Sequence, residues 1–153
     1  MNRIFWLLAL CAAFVAAPAS AGTGKVIKVL PLLVDTNGLH SLSPSLFDRD
    51  AYQAYLRRHP DECAGTRFAI QWKTSGAIYG PLLLRVEIRG TAKGDLPTRT
   101  TLEEKLKPGG WFSHWAEINL SGDAYRKSGT VTAWRVTLWE GDELLGEQKS
   151  FLW

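Results

Sequence analysis

Bulky apolar residues fall at every second position through most of this chain, and that spacing is the signature of strands with one buried face. Phe68, Ile70 and Trp72 alternate with Ala69, Gln71 and Lys73, and Leu82, Leu84, Val86 and Ile88 alternate with Leu83, Arg85, Glu87 and Arg89. Each run predicts a strand with the first set turned inward. Phe112, His114, Ala116 and Ile118 repeat the period after Gly109-Gly110, which leaves Trp111, Ser113, Trp115 and Glu117 on the other face. From Val131 to Trp139 and back from Leu144 to Trp153, around Glu140-Gly141-Asp142-Glu143, the pattern predicts a hairpin. Trp134, Val136 and Leu138 point one way there, and Ala133, Arg135, Thr137 and Trp139 the other.

Two further strands have weaker alternation. Val26 to Val34 is a β-branched, apolar stretch in which Pro31 lacks a backbone donor, so it predicts an edge strand or a bulge. Asn37-Gly38 after it is a tight-turn pair, and Leu39 to Leu42 is expected to return as a short strand. Between Thr98 and Leu106 threonine and charge dominate, with Leu102 and Leu106 as the inward residues. That composition suits an edge guarded against stray pairing.

One segment breaks the period. Ser45 with Asp48 three residues on forms an N-terminal capping pattern, Arg57, Arg58 and His59 stand at the opposite end of the dipole, and Pro60 stops the run. A helix near 45–59 follows, with Phe47, Ala51, Ala54 and Tyr55 as the stripe expected to lie on the sheet and Tyr52 and Leu56 widening it. About seven strands and one helix inserted after the first of them give a mainly β fold, an antiparallel β-sandwich.

From Lys25 to Trp153 the chain resembles immunoglobulin-like and fibronectin-III-like domains. Leu106-Lys107-Pro108-Gly109-Gly110-Trp111-Phe112 is similar to the Leu-x-Pro-Gly-x-x-Tyr corner of the latter, with Phe112 in the tyrosine's place and without its hydroxyl. The paired cysteines of immunoglobulin domains are absent. The resemblance concerns the fold and implies no activity.

Residues 1–21 stand apart from the rest. Asn2 and Arg3 precede an apolar run from Ile4 to Ala17, and Ala19-Ser20-Ala21 closes it with small residues, the layout of a cleavable signal peptide cut near Ala21. The run is shorter than the roughly 20 residues a membrane span needs, and Leu10 before Cys11 does not fit a lipid-anchor site. Residues 22–153 are then expected to be one secreted or periplasmic domain with no integral membrane segment. Removing the leader takes Arg3 from a formal net charge of +3. Basic and acidic residues are interspersed, so nucleic acid and anionic membranes are not expected partners.

Chemistry leaves few candidates, and we expect no catalytic residues, no metal and no cofactor. Asp35, Asn37 and His40 are too few oxygen ligands for a calcium loop and are explained by the turn. Asp61-Glu62 reads as a solvated acidic pair, and Ser43-Pro44-Ser45 belongs to no nucleophile elbow. A hydrolase using Cys63 with His59 or His114 is the remaining catalytic alternative. Cys63 is the sole thiol after the leader and is expected to be a buried, inert one. The tryptophans carry the binding expectation: Trp111 and Trp115, about 13 Å apart on one strand face, with Trp139 and Arg135 beside them, would stack on a glycan or anchor an envelope protein. Alternatively the helix or the second sheet covers these rings, and Trp72 and Trp134 are expected in the core.

Overall fold

The computed structural model describes residues 22–107 and 112–153. The leader assigned to residues 1–21 and the corner residues 108–111, Trp111 among them, lie outside this range. The described residues form seven strands in two antiparallel sheets and two helices: β1 (Thr23–Asp35), α1 (Leu46–Arg58), β2 (Cys63–Ser75), β3 (Leu82–Ala92), β4 (Leu96–Leu106), β5 (His114–Ser121), α2 (Gly122–Ser128), β6 (Thr130–Glu140) and β7 (Glu143–Lys149). One sheet has the order β1-β2-β5 and the other β4-β3-β6-β7. No helix among the described residues is long and apolar enough to cross a membrane.

The inner faces of the two sheets share one core. Val26, Val29, Phe68, Ile70, Trp72, Ile118 and Leu120 come from the first sheet, and Leu82, Leu84, Val86, Ile88, Val136 and Leu138 from the second. Apart from Val26, Val29 and Leu120, these are the residues the period-two spacing turned inward, and Leu102, Leu106, Ala116 and Trp134 pack against them as partly buried neighbours. At about 25 cal/mol per Å² of apolar area, this interdigitated layer is the principal stabilising element. Pro31 does sit on an edge strand, and β1 also slips register around Ile27. A slip of this kind re-aims the side chains that follow, so Val26 and Val29, three residues apart, both enter the core, whereas Leu32 and Val34 are buried outside it.

Leu39 to Leu42 do not return as a strand. The Asp35 carboxylate caps the turn instead: Oδ1 accepts from the Asn37 and Leu39 N–H groups at 2.8 Å each, and Gly38 takes φ +77°. The backbone is thereby steered away from β1 toward α1.

Helix α1 begins at the expected cap, with Ser45 Oγ accepting from Asp48 N–H at 3.4 Å, although the Asp48 carboxylate accepts from Ser43 Oγ rather than closing a reciprocal box. It ends before Pro60, which opens a 3₁₀ turn over Pro60–Glu62. Its packing face differs from the expected stripe. Gln53 and Leu56 are buried, whereas Phe47 is 80% exposed and Ala51 is also exposed. The reason is polar: Gln53 Oε1 accepts from Leu33 N–H at 2.8 Å, and Nε2 donates to Leu33 C=O at 2.8 Å and His40 C=O at 2.9 Å. Those three bonds orient the helix along the outer edge of β1. The short helix α2, between β5 and β6, is a second departure from the expected elements.

Candidate functional site

A seven-strand arrangement in two open sheets has four edges, and unpaired edges attract other strands unless something blunts them. Helix α1 and the missing donor of Pro31 guard β1. Pro97, Arg99, Glu103, Glu104 and Lys105 guard β4 with charge and a broken ladder. β7 is short, carries Glu143, Glu147 and Lys149, and nestles against β1, where a Cβ on Gly146 would come within 2.8 Å of the Gly24 carbonyl. Among the described residues the edge of β5 is the least guarded. Its eight residues, His-Trp-Ala-Glu-Ile-Asn-Leu-Ser, contain no proline and one carboxylate, and pair with β2 without a slip in register. No described strand bonds to its other side.

Side chains give this edge one large exposed ring. Trp115 stands on the outer face beside Gln71 and Glu117 and is 53% exposed, a large ring in reach of solvent. Neighbouring polar groups are held in place, since Arg67 Nε donates to Asn119 Oδ1 at 3.1 Å and lies 3.6 Å from a Glu117 carboxylate oxygen. On the inner face His114 tilts against Trp72 with ring centroids 5.2 Å apart. Phe112, expected to start this strand facing inward, is instead outside it and 82% exposed. A phenyl ring lacks the hydroxyl that fixes a tyrosine in such a corner.

Of the expected tryptophan row, Trp115 and Trp139 do not come together, and Trp111 lies outside the described residues. Trp115 looks out from the β1-β2-β5 sheet, and Trp139 lies on the outer face of the other sheet, opposite Leu83. Trp139 is half-buried: its Nε1 donates to Thr137 Oγ1 at 2.8 Å, and the Arg85 guanidinium sits 5.4 Å above its ring. Arg135 is held on that same outer face between Glu147 (2.9 Å) and Glu87 (3.7 Å), away from Trp115. Helix α1 covers neither Trp115 nor Trp139. Trp72 is buried in the core and Trp134 packs against it, as expected.

The remaining candidates are occupied by structural bonds. Cys63 is half-buried, its thiol reaching toward Leu56 C=O (3.4 Å) and His59 C=O (3.8 Å), and burial, followed by the nearby Asp61 and Glu62 charges, pushes its pKa up. His59 stacks on Tyr55 at 4.1 Å and its Nδ1 is 2.9 Å from Tyr55 C=O. Glu62 accepts from the Tyr55 hydroxyl at 2.6 Å. Ser43 and Ser45 bond within the turn that starts α1. Asp35 and Asn37 form the turn described above, His40 faces Arg67, and no cluster of three metal-ligating side chains occurs among the described residues.

No family model, no curated protein and no solved structure matches this chain.

Proposed function

We propose that this chain is an exported, non-catalytic binding module of immunoglobulin-like sandwich architecture that docks a protein partner of the cell envelope by strand addition at β5. The strand order supports the architecture. Read as A to G in chain order with β4 as C′, it places A, B and E in one sheet and C′, C, F and G in the other, the grouping of sandwiches whose fourth strand joins the C-F-G sheet. The leader-like residues 1–21 support export.

The least guarded edge, that of β5, carries the functional reading. An extended segment laid along it gains backbone hydrogen bonds over as many as eight residues, roughly 26 Å of strand, and Trp115 supplies an apolar anchor for one of its side chains. Of the described tryptophans assigned to the glycan alternative, Trp115 is the well-exposed one and Trp139 is half-buried.

The test immobilises residues 22–153 and a variant carrying Trp115→Ala with Asn119→Lys, both outward substitutions. Envelope proteins held by the first and released by the second, together with slowed amide exchange along β5 in the complex, support strand addition. Equal retention by both proteins, or protection elsewhere with β5 unchanged, refutes it.

A further inference from the structure

The two sheets part at one corner. β7 pairs with β6 only from Arg135 onward, and beyond Ser150, whose N–H donates to Trp134 C=O at 2.9 Å, nothing extends β7 along Thr130–Ala133. The start of β6 therefore faces the C-terminal half of β1 across a gap. The gap is a cavity of about 420 Å³, within the range of small-ligand sites. Leu33 and Pro31 form one wall, Val131 and Trp134 the facing wall, and Leu56 of α1 the floor. Close-packed interiors rarely leave such a volume beside fully buried residues such as Leu56.

Polar and apolar side chains both line it, and Arg57 is the one charged residue among them. Cys63, Tyr125, Thr130 and Thr132 line it beside Gln53, whose amide is already bonded to Leu33 and His40, and Thr66 is buried there. At the rim stands Arg57, which has no carboxylate or other hydrogen-bonding partner among the described residues, whereas its neighbour Arg58 donates to Ala54 C=O. An apolar stretch of lining formed by Pro31, Leu33, Leu56, Val131 and Trp134, with one cation at the rim, is complementary to an amphiphile with an anionic head.

We infer that this inter-sheet cavity binds an aliphatic carboxylate, its chain against Leu33, Leu56 and Trp134 and its carboxylate on Arg57. The site is separate from the β5 edge, and its ligand does not depend on the docking role.

Cys63 lines the cavity and is the only thiol of residues 22–153, so its alkylation reports occupancy at one place. The experiment measures the rate of N-ethylmaleimide reaction with residues 22–153 at rising concentrations of decanoate, kept below micelle formation, and of decanol. Decanoate is expected to slow alkylation several-fold and saturably. Arg57→Gln, an exposed substitution, should raise the decanoate concentration required by about tenfold, the worth of one charge-assisted contact, and leave decanol unaffected. Thr132→Trp, which places a ring in the mouth, should abolish the decanoate effect. An alkylation rate indifferent to decanoate overturns the inference, as does protection by decanol equal to that by decanoate with Arg57→Gln silent. Persistence of the full decanoate effect in a folded Thr132→Trp protein overturns it as well.

Discussion

The side-chain amide of Gln53 pairs with the backbone of Leu33 in both directions, accepting from its N–H and donating to its C=O at 2.8 Å each. One glutamine thus stands in for a neighbouring strand, and β1 is closed at the point where Pro31 cannot help. A buried donor or acceptor left without a partner costs about 1–3 kcal/mol. Gln53→Leu keeps the volume and strands Leu33 and His40, so urea denaturation should show a loss of about 2–4 kcal/mol. Gln53→Glu, which keeps the acceptor but loses both donated bonds, should also destabilise.

The Asp35–Tyr52 pair sets a pH window. Burial alone would raise the Asp35 carboxyl, but bonds from the Leu39 N–H, the Tyr52 hydroxyl at 2.7 Å and the Asn37 N–H outweigh it and hold the pKa below its ordinary 3.8. A lowered acid contributes stability that is complete above 3.8 and lost as pH falls through the folded value. Tyr52 moves the other way: the bond to Asp35, then burial, raises it to about 12 from 10.0. Its contribution is intact below pH 10.0 and vanishes as pH climbs toward about 12. Melting temperatures of the wild type should therefore fall at both extremes. Tyr52→Phe should be less stable at neutral pH and should show less of the alkaline decline, and Asp35→Asn should blunt both limbs.

Two tryptophans with similar sequence surroundings should behave oppositely. Trp72 is 3% exposed at the centre of the core, so Trp72→Ala should cost about 3–5 kcal/mol. Trp115, on the neighbouring strand but outward, should cost less than about 1 kcal/mol when replaced by Ala. Denaturant midpoints of the two variants decide this, and a large loss at Trp115 would mean that its ring is structural.

What could be read in advance follows from range. Alternation is local, and it placed Leu82 to Ile88, Phe68 to Trp72 and the Val131 to Trp139 strand correctly, as well as the α1 cap at Ser45 and its stop at Pro60. Strand order is not local. Trp115 and Trp139 share an outward phase in their own strands, yet β5 pairs with β2 and β6 with β3, which sends the rings to opposite sides. Hydropathy also misled at α1, because the face that packs is chosen by the hydrogen bonds of a polar residue, Gln53, and the more apolar stripe through Phe47 and Ala51 is left in solvent. The low charge of β5 is legible in its residues, but only the strand order shows that it lies at a sheet edge.

The last residues test whether the chain beyond β7 belongs to the fold. Ser150 is tied to β6 through Trp134, with its Oγ accepting from Trp134 N–H at 3.0 Å, and the Arg89 guanidinium lies 4.2 Å from the Trp153 ring centroid. Phe151 and Leu152 between them are exposed. A cation–aromatic contact is worth about 0.5–2 kcal/mol. Trp153→Ala should accordingly lower the melting temperature, and Arg89→Ala should lose the same contact, so that the double variant costs less than the sum of the two. Replacing Phe151 and Leu152 with Ser should leave the melting temperature within a degree or so. Additive losses at Arg89 and Trp153 would show that the stack contributes nothing, and a marked loss at Phe151 or Leu152 would place the anchor of this terminus in those residues instead.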